Sequence, residues 1–212
     1  MNSVQPPARA KLLFNGQDLS NWRTRSGEPA GWLVEDGVMK VVPKTGDILT
    51  LERFTDFYLH LEFRIPDMPH ATGQAKGNSG VFLQGRYEIQ VLDSYGIAVP
   101  GMGDCGAFYN ASAPLVNACL PPLQWQAYDV IFRAPRLNAE GAVAERVRIT
   151  VLQNGLVIQN NVELPGVSGG EVDAKIGEPG PLLLQDHGNL VQYRNIWVLE
   201  LPLKGSDTYE PR

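Results

Sequence analysis

The chain has 212 residues, 43% hydrophobic and 19% charged, with 18 basic against 23 acidic side chains and a formal net charge of −5. This composition suits a compact all-β protein with a sizeable core and argues against disorder. No basic run of the nucleic-acid-binding kind occurs, and no apolar run approaches the ~18 residues of a membrane span.

Residues 1–11 lack an apolar signal core and read as a disordered lead-in. Residues 31–42 predict a hairpin turned at Asp36-Gly37. Residues 57–65 alternate, with Phe57, Leu59, Leu61, Phe63 and Ile65 on one face and Tyr58, His60, Glu62 and Arg64 on the other. Residues 79–84 and 86–92 predict a second hairpin around Gly85. Residues 95–124 form a long irregular stretch, and loops of that length in compact domains usually carry function.

Residues 128–133 read as a strand, and 146–152 with 156–159 as a third hairpin across Asn154-Gly155. Residues 182–185 and 191–199 give the last strands. Strands recur with almost no helix signal, which predicts an all-β jelly-roll sandwich of two antiparallel sheets. It is expected over residues 12–203, followed by a tail over 204–212.

Two stretches place polar, proton-handling groups on strand patterns. On the second hairpin, Asn78, Phe82, Arg86, Glu88 and Gln90 share the face away from the core. A carboxylate, a guanidinium, amides and one aromatic ring suit a small sugar, whose hydroxyls want polar partners and whose C–H face wants a ring. Asp93 would join Glu88 on one side through a bulge. Farther on, Gln185 and His187 share a face, beside Gly188. A histidine there can shuttle a proton near neutral pH.

The two cysteines, Cys105 and Cys119, lie in the irregular stretch and are a candidate disulfide. Such a bond favours a periplasmic or secreted location, with the cytoplasm as the alternative. Cysteine spacing offers no metal motif.

Glu88-x-Gln90-x-x-Asp93 resembles the Glu-x-Asp-x-x-Glu strand of laminarinase-like glycoside hydrolases, with Gln and Asp in place of its second and third carboxylates. A broader resemblance is carried by Leu13-Phe14-Asn15-Gly16-Gln17-Asp18-Leu19-Ser20-Asn21-Trp22, Asn78-Ser79-Gly80-Val81-Phe82, Tyr87-Glu88-Ile89-Gln90-Val91-Leu92-Asp93-Ser94, Trp125-Gln126-Ala127-Tyr128-Asp129, Leu184-Gln185-Asp186-His187-Gly188 and Tyr193-Arg194-Asn195-Ile196-Trp197. Over residues 12–201 the chain resembles the 3-keto-disaccharide hydrolase family.

The resemblance implies a concanavalin-like jelly roll acting on glycosides already oxidised at C3 by a separate upstream dehydrogenase. A C3 ketone acidifies the C2 proton. Its removal gives an enolate that expels the C1 substituent, and water can then add back. Glu88 and His187 are the expected acid and base. Asn78, Phe82, Arg86, Gln90, Asp93, Gln185 and Arg194 are the expected sugar contacts. No particular cofactor is implied, and a divalent cation held by His187, Glu88 and Asp93 could stabilise the enolate. The alternatives are a non-catalytic, lectin-like carbohydrate-binding module and a laminarinase-like hydrolase.

Overall fold

Two antiparallel sheets pack face to face, and alternation along the longer strands decides which side of each is apolar. The computed structural model describes residues 4–202. The larger, eight-stranded sheet runs in the order Leu156–Glu163, Arg148–Gln153, Trp125–Arg133, Phe57–Arg64, Gln192–Glu200, Val38–Lys40 and Leu33–Glu35, with Lys11–Leu12 also pairing on Gln192–Glu200. The smaller, five-stranded sheet runs Trp22–Thr24, Ile48–Thr50, Leu183–Leu184, Ser79–Leu83 and Tyr87–Val91. Lys11, the last residue of the expected lead-in, thus already pairs with Val198. Residues 1–3 of that lead-in, and the tail over 204–212, lie outside the described residues.

The core forms where the inner faces meet. Phe57, Leu59, Leu61 and Phe63 project from the large sheet, and Val81, Leu83, Tyr87, Ile89 and Val91 from the small one. Phe132 stacks on Phe57 at 4.8 Å between centroids and lies 5.8 Å from Tyr87, so aromatic rings bridge the two layers. Each such side chain contributes roughly 1.5–3 kcal/mol when removed from water. The Asn154-Gly155 turn has positive φ at both residues, 54° and 83°, the backbone that a two-residue hairpin requires. The first predicted strand near the C-terminus shrinks to Leu183–Leu184.

The other face of the large sheet carries a polar cluster in which His60 and Glu62 are buried. Tyr58 donates its hydroxyl to Asp129 Oδ1 at 2.7 Å, and His60 Nδ1 lies 2.7 Å from the same oxygen. His60 stacks on Trp197 at 5.1 Å, and Arg194 donates Nε to Glu62 Oε2 at 2.6 Å. Burial opposes charging His60. The Asp129 and Glu62 carboxylates outweigh that effect and raise its pKa to about 8.

A raised histidine pKa stabilises the fold fully below about pH 6.5 and loses that contribution as pH rises through about 8. The shift corresponds to about 2 kcal/mol. Chemical denaturation at about pH 6 and about pH 9 should therefore show wild type losing about 2 kcal/mol more than His60→Gln across the interval. Equal losses in the two proteins would contradict the linkage.

Candidate active site

On the smaller sheet, the face turned from the core carries the polar residues of the Ser79–Leu83 and Tyr87–Val91 hairpin. Every residue of both strands is buried, so this face is covered too. Its cover is the segment 164–180. Arg86 binds it from below, through Nε to Asp173 Oδ1 at 2.6 Å and Nη1 to the Glu178 carbonyl at 2.7 Å. Arg53 donates to the Pro179 carbonyl, and Arg25 to the carbonyls of Gly170 and Glu171. Ser168 Oγ accepts the Glu88 backbone N–H at 2.9 Å.

Beside this strap lies a cavity of about 640 Å³, within the usual range for a small-molecule site. Asn78, Glu88, Gln90, Gln185 and His187 line it together, so five of the residues expected from sequence converge. Gln74, Tyr109, Asn110 and residues 164–169 complete the wall. Gln74 comes from the Gly73–Ala75 turn, and Tyr109 and Asn110 from the long irregular stretch.

Glu88 is the only carboxylate among these lining residues, and none of them is a lysine or arginine. The residue is 6% exposed. Burial, with the Asp47 carboxylate nearby, pushes its pKa up to about 7. Gly80, paired with Gln90 on the neighbouring strand, lies diagonal to Glu88, and a Cβ there would come to 2.5 Å from Glu88 Oε1. The missing side chain is thus the space the carboxylate occupies. His187 is exposed at the cavity.

The other expected contacts lie elsewhere. Arg86 is fully buried and committed to the strap, not to the cavity. Phe82 packs with Leu49, Leu183 and Val172, so its ring is unavailable to a sugar. Asp93 faces Lys76, with 2.9 Å between Oδ2 and Nζ. Arg194 belongs to the larger sheet, bound to Glu62 and 4.1 Å above the Trp125 ring. With Asp93 so engaged, the expected cation site does not assemble, and no group of three or more His, Cys, Asp or Glu suited to a metal occurs among the described residues.

Cys105 and Cys119, the candidate disulfide pair, come together, both as free cysteines. Both sulfurs lie beside the Gln153 amide, 3.6 and 3.5 Å from Nε2, and Cys105 Sγ is 3.1 Å from the Tyr128 hydroxyl.

Comparison with known proteins places this geometry in a family. A model described as the 3-keto-alpha-glucoside-1,2-lyase-like domain matches residues 9–199. A candidate glycosyl hydrolase from Parabacteroides distasonis ATCC 8503 is 42% identical, with a TM-score of 0.85 over 92% of this chain and 85% of that one. A second from the same organism is 22% identical, with a TM-score of 0.71 over 94% and 99% of the two chains, and shares the fold. The alginate lyase Aly36B, 9% identical with a TM-score of 0.50 over 92% and 98%, likewise shares the fold alone. A search of curated proteins finds no match.

Asp47→Asn should lower the Glu88 pKa without returning it to the ordinary carboxylate range, because burial is the larger cause. An NMR titration of the Glu88 side-chain carboxyl should show a midpoint near 7 in wild type and a lower one in the variant. Identical midpoints would remove Asp47 as a cause.

Proposed function

Because the chain belongs to the 3-keto-alpha-glucoside-1,2-lyase-like family, we propose that it cleaves the glycosidic bond of glycosides bearing a ketone at C3. The observation that carries this reading is Glu88, a buried carboxyl poised near neutrality in a cavity with no second carboxylate among its lining residues. Hydrolysis through an oxocarbenium ion uses two carboxylates flanking the scissile bond. Proton abstraction beside a ketone needs one base, one acid and donors for the enolate.

In this reading Glu88 removes the C2 proton. The electron pair forms the enolate and then expels the C1 substituent, which takes a proton from His187 at the cavity rim. Water adds to the resulting enone to complete net hydrolysis, or the enone leaves as the lyase product. Arg86 has no part in the enolate. Lining donors for its oxygen include the Tyr109 and Ser168 hydroxyls and the Gln185 and Asn110 amides. The C3 ketone has to be installed beforehand, so an upstream sugar 3-dehydrogenase supplies the substrate. A lectin-like module would use the same cavity to bind sugar without turnover.

Incubation with a glucoside and with its C3-ketone analogue, followed by aglycone release and enone absorbance, separates these readings. Turnover of the ketone alone is expected. Its kcat/KM should rise as pH increases through about 7, because the base must lose its proton. Glu88→Gln should retain binding and lose about 10²–10⁴-fold in rate. Binding without turnover of either compound would leave the lectin reading.

A further inference from the structure

Three side-chain amides on the cavity wall are oriented by backbone carbonyls, which can only accept. Gln74 Nε2 donates to the Gly103 carbonyl at 2.8 Å. Asn78 Nδ2 donates to the Gln74 backbone carbonyl at 2.7 Å, and Gln90 Nε2 lies 3.4 Å from the Gly103 carbonyl. Turning any of these amides over would set two acceptors against each other, so the hydrogen-bond network assigns their polarity. Gln74 Oε1 then becomes the shared acceptor, taking Gln90 Nε2 at 2.9 Å and Asn78 Nδ2 at 3.2 Å.

The Asn78 and Gln90 amide nitrogens, with two acceptors each, are thereby used up within the wall, and their carbonyl ends are left for the ligand. Gln90 Oε1 is buried without a hydrogen-bond partner, in a residue only 2% exposed. Such an acceptor is costly to leave empty and well suited to a ligand donor. Asn78 Oδ1 likewise receives no donor among the described residues.

We propose that Gln74 is a positioning residue that fixes the amide polarity of Gln90 and Asn78, so that this wall reads hydroxyl donors on the sugar. A ketone, ether or carboxylate oxygen finds no partner at Gln90 Oε1 or Asn78 Oδ1. The wall therefore takes a hydroxyl-bearing edge of the sugar and turns the C3 ketone elsewhere. The proposal rests on the keto-glycoside reading for the choice of substrate and its orientation.

Steady-state kinetics on a 3-keto glycoside and its 4-deoxy and 6-deoxy forms would be compared in wild type, Gln74→Ala and Gln74→Glu. Wild type should disfavour at least one deoxy form by about tenfold or more in kcat/KM. Gln74→Ala should lose most of that preference, with the loss falling mainly in KM. Gln74→Glu should lose it as well, because its carboxylate has no N–H for the Gly103 carbonyl and would set acceptor against acceptor there. Gln74 is exposed, and matching thermal melts would establish that each variant is folded. Unchanged discrimination in Gln74→Ala, or a wild type indifferent to both deletions, would overturn the proposal. If no keto-glycoside is turned over, equilibrium binding of the unoxidised glycoside and its deoxy forms to the same proteins repeats the comparison. Lost discrimination in Gln74→Ala would then uphold the wall's role while the reaction fails, and no binding at all would overturn both.

Discussion

The buried pairing of Arg86 with Asp173 decides what the smaller sheet can do. A guanidinium without solvent needs a carboxylate and further acceptors, and the segment 164–180 supplies both. Meeting that need draws the segment across the sheet. Val172 then closes over Phe82, Leu49 and Leu183, and Ser168 reaches the backbone of Glu88. The cavity wall at 164–169 follows from the same placement. The loss of water around Glu88, the largest cause of its high pKa, occurs beside this wall.

The two sheets use similar side chains for opposite ends. On the larger sheet, His60, Asp129, Glu62 and Arg194 satisfy one another, and Trp197 covers the imidazole. In that network each carboxylate has a donor from within the sheet, and the unfilled positions are the nitrogens His60 Nε2 and Trp197 Nε1. On the smaller sheet the amides satisfy each other on one side only, and the Glu88 carboxylate accepts no hydrogen bond from the described residues. A strand face that leaves acceptors unfilled beside a cavity is suited to a ligand, whereas one whose carboxylates are taken by its own donors serves the fold.

Alternation made the hairpin legible, and with it the placement of Glu88, Gln90 and Asn78 away from the core. The Gln185 and His187 pair was readable in the same way. The family and the jelly roll were legible because their motifs occur in order along nearly the whole chain. Phe82 and Arg86 obey the same alternation, yet what covers them comes from residues 87 positions later in the case of Asp173, and no local pattern announces that. Arg194 shows the complementary difficulty: its motif is readable, but the sheet on which it lies is a matter of topology. Gln74, Tyr109 and Asn110 belong to segments without regular periodicity. Only the length of the stretch 95–124 hinted that such residues would matter.

Arg25 holds two things at once. Its Nε pairs with Asp47 Oδ2 at 2.8 Å, while its other nitrogens hold the strap carbonyls at 170 and 171. Asp47 is also the charge that raises the Glu88 pKa. The shape of the cavity and the proton affinity of its carboxyl therefore share one tether. A change in the strap that shifted Arg25 would also alter how far Asp47 is neutralised, so the room in the cavity and the charge on its carboxyl cannot be adjusted separately through this residue.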